Sequence, residues 1–209
     1  MENGTISYIQ SLREDLGIFR VTPDGGVPDF KAGQFLTLGL PLESKIVNRA
    51  YSIASSPDNK KFFEFVIRWV RRPLPGRLTS LLFNAKVGDK ISWAKPAGNL
   101  TINDTLPSGE KDTRRIVCIG GGTGLAPFVS FAQHLHDTGD KRETIVLHGA
   151  SYVDELSYKD LLTNLENESI AKGKDQWNFR YRAAISRPEE WTNRAWNGHK
   201  GRIEQFLRS

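Results

Sequence analysis

From Thr5 to about residue 100 the apolar positions fall in short runs cut by turn residues. Thr5-Ile6-Ser7-Tyr8-Ile9 and Ile18-Phe19-Arg20-Val21 are β-type runs, with a hairpin connection at Asp15-Leu16-Gly17 and a later turn at Pro23-Asp24-Gly25-Gly26. Gly33-Gln34-Phe35-Leu36-Thr37-Leu38 and Ala50-Tyr51-Ser52-Ile53 follow, the second closed by Ser55-Ser56-Pro57-Asp58. The pattern is strongest over residues 62–70. There Phe63, Phe65, Ile67 and Trp69 share one face and Glu64, Val66, Arg68 and Val70 the other, which predicts a strand with one buried side. Ile91-Ser92-Trp93-Ala94 makes a sixth run, and six short strands separated by turns predict a small antiparallel β-barrel. One helix interrupts them at residues 75–83, with Leu78, Leu81 and Leu82 on one side and Gly76, Thr79 and Ser80 at its start.

The period changes after residue 113. Residues 103–113, with Pro107, Ser108 and Gly109, read as a linker, so two domains are expected: 1–106 and 114–209, joined by 107–113. An apolar run through Cys118-Ile119 breaks into glycines and resumes at helical spacing over residues 125–136, with Leu125, Phe128, Val129, Ala132 and Leu135 on one face. Thr144-Ile145-Val146-Leu147-His148 predicts a buried strand, residues 155–165 a helix, and residues 179–185 a third strand. Alternating strand and helix predicts a parallel α/β sheet that binds ligands beyond the carboxyl ends of its strands.

Composition narrows the class without choosing a function. With 38% hydrophobic and 25% charged residues the chain reads as a soluble globular protein. No apolar run is long enough to span a membrane and no export signal is seen, so a cytoplasmic location and no membrane partner are expected. The single cysteine, Cys118, excludes an intrachain disulfide framework and a multi-cysteine metal site. His134 and His136 are two apart on a helix and cannot chelate as an i, i+4 pair does, so no metal site is expected. A net charge of +5 favours acidic partners. Nothing interleaves aromatic and basic residues as single-stranded nucleic-acid binding requires.

The glycine turn carries the first candidate chemistry. The opening N–H groups of a helix lack acceptors and carry the positive end of its dipole, so Gly120 to Gly124 ahead of a helix form a phosphate cradle. Gly122, Gly124 and Pro127 give glycine-x-glycine-x-x-proline, and no Lys-Ser or Lys-Thr pair follows, which excludes a Walker loop. Proline is tolerated in a first helical turn. The start of the 75–83 helix is a second candidate anion site.

Arg49-Ala50-Tyr51-Ser52, Gly76-Arg77-Leu78-Thr79, Val87-Gly88-Asp89 and the Gly-Thr-Gly-x-x-Pro of residues 122–127 together resemble the ferredoxin–NADP reductase family, in its bacterial branch. The resemblance covers nearly the whole chain. It implies that the barrel binds FAD through Arg49, Ala50, Tyr51, Ser52, Val66, Arg77, Leu78 and Thr79, with Thr123 from the second domain. Tyr51 would pack on the isoalloxazine ring, Arg49 would pair with the pyrophosphate, and Ser52 would lie near flavin N5 as the residue closest to the chemistry. The residues themselves agree, since an arginine fork matches phosphate oxygens and tyrosine offers a flat face.

For the second cofactor the resemblance implies NADP(H), held by Gly122, Thr123, Gly124, Pro127, Ala150, Ser151, Ser186, Arg187 and Arg202. The second strand ends His148-Gly149-Ala150-Ser151, without the acid that usually holds NAD ribose, and hydroxyl and cations follow the third strand. At Ser151 several relatives carry an arginine, a departure that weakens the preference for NADPH over NADH. In a further departure the family continues past Arg202 into a strand ending Cys-Gly, a helix and a tail, whereas this chain ends Leu207-Arg208-Ser209. Three of about five strands are therefore expected, with the first strand left as an exposed edge. The implied function is transfer of hydride between NADP(H) and FAD and of single electrons between FAD and ferredoxin or flavodoxin. Lys60, Lys61, Arg68, Arg71, Arg72 and Arg77 would attract that acidic carrier, and a monomer is expected. A reductase module feeding an oxygenase or free flavin, and a non-catalytic flavin-binding fragment, are the alternatives.

Overall fold

The computed structural model describes residues 1–207, and the side chains of Phe206 and Leu207 are not described. The chain end at Arg208 and Ser209 therefore lies outside the described residues. The chain divides into two compact units, Met1–Thr101 and Ile102–Ser209.

The first unit is an antiparallel sheet of β1 (Glu2–Arg13), β2 (Leu16–Pro23), β3 (Phe35–Leu42), β4 (Lys45–Ser52), β5 (Phe63–Arg68) and β6 (Lys90–Trp93), with one helix, α1 (Arg77–Asn84). The order is β4-β3-β6-β1-β2-β5. The two outer strands approach each other where the Ala54 N–H, just past β4, donates to the Glu64 carbonyl at 2.8 Å, which curls the sheet into a barrel. Its core is aromatic and aliphatic, with Phe19, Phe63, Phe65 and Trp93 among Ile6, Leu36, Leu38 and Ile67. Burying this many large apolar side chains, at about 1.5–3 kcal/mol each, is the main stabilising term.

Two readings of this half are corrected. Leu16 and Gly17 belong to β2 rather than to a turn, because the hairpin closes at Glu14 and Asp15. Strand β5 is buried on both faces from Phe63 to Ile67, not on one. Glu64 is tolerated there because its carboxylate accepts from Arg20 Nε at 2.6 Å, and Arg20 in turn stacks over Tyr8 and Phe62.

The second unit holds a parallel sheet of β7 (Ile116–Gly121), β8 (Thr144–Ala150), β9 (Phe179–Ile185) and β10 (His199–Lys200), in the order β10-β9-β8-β7. The expected count of three strands is corrected to four by the short β10, which is too brief to leave an apolar period. Strand β7 is an edge, with Val117 and Ile119 exposed. Helix α2 (Ala126–Asp137) follows β7 and α3 (Lys159–Lys172) follows β8. The helix expected at 155–165 starts four residues later and runs on to Lys172. Glu155 sits in a 3₁₀ turn, Val153–Glu155, with its carboxylate turned back to accept the Ser151 N–H at 3.2 Å. Residues 105–111 form a small hairpin within this unit, tied down by the largely covered side chain of Arg142, which donates to the Asn103 carbonyl at 2.8 Å and pairs with Asp140 at 2.7 Å and Asp104 at 3.2 Å.

Candidate nucleotide and flavin sites

In the first unit the candidate residues lie on edge strand β4 and the start of α1, which packs against β3 and β4. Register pairs Leu38 with Arg49, Thr37 with Ala50, Leu36 with Tyr51 and Phe35 with Ser52. Arg49 and Ala50 are exposed, while Tyr51 and Ser52 are half-buried. Tyr51 meets Phe65 edge-on at 6.5 Å, and burial pushes its phenol up to about 12, against the opposing pull of Arg49. It therefore stays neutral at physiological pH and can donate a hydrogen bond beside a flat face. Val66, Leu78 and Thr79 are buried and Arg77 is exposed. The first helical bond of α1 runs from the Ser80 N–H to the Gly76 carbonyl, so the N–H groups of Arg77, Leu78 and Thr79 have no acceptor within the helix. Exposed guanidinium groups, an unsatisfied helix start and a half-buried ring suit a ligand combining phosphates with a flat aromatic system.

Of the proposed docking cations, Lys60 pairs with Asp29 at 2.8 Å, Arg68 with Asp15 at 2.9 Å and Arg71 with Glu14 at 2.8 Å, while Lys61, Arg72 and Arg77 are exposed.

In the second unit the parallel register lines the candidates along one end of the sheet. Gly121 pairs with Gly149, Ala150 with Ile185, and Ile185 with Lys200. Just beyond, the Ser186 N–H donates to the Ala150 carbonyl at 2.9 Å and the Gly201 N–H to the Ile185 carbonyl at 2.8 Å. Gly122, Ala150, Ser151, Ser186, Arg187 and Arg202 thus gather at the carboxyl ends of β7 to β10. Cys118 is buried in β7, and its thiol is pushed up to about 12 by burial.

The glycine turn is a 3₁₀ turn, Gly122–Leu125, running into α2, with Pro127 buried in the first turn of the helix. Gly122 has φ +52, which a residue with a Cβ adopts only under strain. An added Cβ at Gly122 or Gly124 would meet nothing within 4 Å, whereas one at Gly120 would lie 2.8 Å from Leu125 Cα. Gly120 is thus small for packing, and the other two leave open room in front of a helix start, as a phosphate requires.

Beside Ser186 and Arg187 an open cleft of about 460 Å³ is also lined by Pro188, Glu189 and Glu190. Arg187 donates from Nη1 to the Tyr152 hydroxyl at 2.8 Å, and Arg202 is paired with Glu204 at 2.7 Å. The second strand ends without an acid, yet carboxylates from other segments stand close to these residues. Glu155 backs Ser151 from the interior, and Glu189 and Glu190 share the cleft with Arg187. Sequence reasoning also missed Tyr152 and Asn193. Asn193 is buried and bonds three backbone groups of these loops. In the sequence it is one polar residue in a polar stretch, without a period to mark it.

Two family models match the chain: the oxidoreductase FAD-binding domain over residues 4–102 and the oxidoreductase NAD-binding domain over residues 118–209. A ferredoxin–NADP reductase of Pseudomonas aeruginosa is 36% identical over 148 residues, which is 70% of this chain and 54% of that protein. The reductase component of a propane 2-monooxygenase from Mycolicibacterium goodii is 31% identical over 187 residues, or 87% of this chain and 48% of the relative. The chain thus spans about half the length of these curated relatives. Among solved structures, a ferredoxin NADP+ reductase of Neisseria gonorrhoeae with bound FAD and NADP superposes with a TM-score of 0.76 at 24% identity, over 99% of this chain and 75% of that chain. No helix among the described residues is long and apolar enough to cross a membrane.

Proposed function

Because the chain belongs to the ferredoxin–NADP reductase family of FAD- and NAD-binding oxidoreductases, we propose that it is the flavin- and nucleotide-binding part of an NADP(H)-dependent reductase passing electrons to ferredoxin or flavodoxin. In this reading the first unit holds FAD and the second holds NADP(H). The observation that carries it is the register that brings Ser151, Ser186, Arg187 and Arg202 to one sheet end beside the open glycine turn.

Bound FAD would supply the redox chemistry, accepting a pair of electrons and releasing them singly. The protein's part is binding and orientation. Arg49, Arg77 and the first-turn N–H groups of α1 would hold the pyrophosphate, and Tyr51 would cover the ring as a neutral phenol. Ser52 would be the residue nearest flavin N5, with Ala50, Val66, Leu78 and Thr79 completing the flavin contacts. Gly122, Thr123, Gly124 and Pro127 would cradle the dinucleotide's phosphates, while Ala150, Ser151, Ser186, Arg187 and Arg202 would take its 2′-phosphate end. The test is to reconstitute the full chain with FAD and titrate it with NADPH under argon. Bleaching of the flavin absorbance is the expected result, and protein that takes up no FAD, or stays yellow with both NADPH and NADH, would overturn the reading.

The likeness to an oxygenase reductase component favours a second reading, in which the acceptor is an oxygenase or free flavin. Comparing ferredoxin, flavodoxin and free FMN as acceptors separates the two. For an acidic carrier drawn by Lys61 and Arg72, reduction slows steeply with added salt, and a flat response removes the docking proposal.

A further inference from the structure

We infer that Asn193 is a positioning residue for the phosphate end of the dinucleotide, acting through the loops that carry Ser151 and Arg187; this rests on the nucleotide-site reading above. Asn193 ends a 3₁₀ turn, Trp191–Asn193, and is 2% exposed, unusual for an asparagine outside the sheet and helices. Its amide is used on both ends. Oδ1 accepts the Val153 N–H at 3.0 Å, and Nδ2 donates to the Ser151 carbonyl at 3.1 Å and the Arg187 carbonyl at 2.7 Å. One side chain therefore links the loop after β8 to the loop after β9.

The neighbouring bonds complete the clamp. Ser151 is held on both sides, its N–H by Glu155 at 3.2 Å and its carbonyl by Asn193. Arg187 is held at its backbone by Asn193 and at its guanidinium by the Tyr152 hydroxyl at 2.8 Å, with the Tyr152 ring 5.4 Å away. An exposed arginine loses rotamer freedom when a ligand fixes it, and a loop loses more. With these losses already met in the free protein, less binding energy is spent on ordering. Glu189 and Glu190 make the aim of Arg187 matter, because they offer its guanidinium competing carboxylates in the same cleft. Without the clamp the two loops can part, and the guanidinium can turn to those acids.

A purely structural role predicts lower stability with unchanged ligand preference, so the readout is a ratio. The FAD-reconstituted full chain is titrated calorimetrically with 2′,5′-ADP and with 5′-AMP, as wild type, Asn193→Ala and Asn193→Asp. The aspartate keeps the size and the acceptor toward Val153 but loses both donations and sets charge against two carbonyl oxygens. Both variants should bind 2′,5′-ADP about tenfold more weakly and 5′-AMP only about twofold more weakly, with unchanged flavin absorbance. A folded variant with the wild-type ratio overturns the inference while leaving the nucleotide site intact. Wild-type protein that binds neither ligand overturns the site reading and the inference with it. If Asn193→Ala does not fold, the isosteric Asn193→Asp decides, with Tyr152→Phe as a surface variant that should shift the ratio in the same direction.

Discussion

Helix α1 starts behind Gly76 and α2 behind the 3₁₀ turn that opens at Gly122, and none of these turns has a side-chain cap or an acid in its first residues. In sequence the two starts look equivalent. In the fold the missing side chains serve different ends. A Cβ on Gly76 would lie 2.5 Å from Thr79 Oγ1, whose hydroxyl folds back to donate to the Gly76 carbonyl at 3.1 Å. At Gly122 and Gly124 an added Cβ would point into open space. A glycine can thus be small for its own helix or for something outside it, and only the neighbouring atoms tell which.

The widest contrast between the units is their response to acid. All four histidines lie in the second unit. His148 is fully buried in β8, with Nδ1 at 3.0 Å from the Tyr181 hydroxyl and no hydrogen-bond partner for Nε2 among the described residues. Burial pushes its pKa down to about 4. The folded value lies below the unfolded one, about 6.5, so protons bind the unfolded chain first as pH falls. Stability is complete above about pH 6.5 and declines toward pH 4, by up to roughly 3 kcal/mol. Urea unfolding at pH 7 and pH 4.5, followed by a probe in each unit, should lower the midpoint of the second unit selectively; equal losses would contradict this.

The next effect falls on ligand binding alone. Gly124→Val should leave the unfolding free energy within about 0.5 kcal/mol of wild type. It should weaken NADPH binding about tenfold, or ~1.4 kcal/mol, by filling the space before the helix start. Unchanged affinity in a calorimetric titration would mean that the open space is not the ligand's. Gly122→Ala separates conformation from room at the same turn. At φ +52 an alanine costs about 1 kcal/mol of stability, readable by denaturant unfolding, whatever it does to the ligand. The smallest effect is at α1, where Gly76→Ala should cost about 0.5–1 kcal/mol in wild type and much less in a Thr79→Ala background. An undiminished cost in the double variant would show that Thr79 is not the reason Gly76 is small.

Much of the fold was legible because strongly apolar, periodic segments leave little choice. The third parallel strand, read at residues 179–185, is Phe179–Ile185 in the structure, since Phe179, Tyr181 and Ile185 are all buried. The six strands of the first unit were also readable from their runs and turns. Prediction faltered where a side chain, rather than a period, sets the backbone. Glu155 turns back to Ser151 and delays α3 to Lys159, and Tyr158 ahead of it adopts φ 59. Of the candidate sites, the glycine turn and the Arg49 to Ser52 strand were visible as motifs, but Tyr152, Asn193 and Glu204 act through bonds that no spacing announces.

The sequence by itself determined the two kinds of domain, the strand–glycine–helix order and the residue types suited to phosphates and a flat ring, because these follow from local period and local chemistry. Only the tertiary structure decided which loops share a sheet end, which glycines face open space and which cations are already paired. Those depend on parallel register and on side chains distant in sequence. Strand pairing sets Ala150 beside Ile185, and Asn193 reaches back across the chain to Ser151. Such contacts are fixed by packing of the whole unit, and no short stretch of sequence contains them.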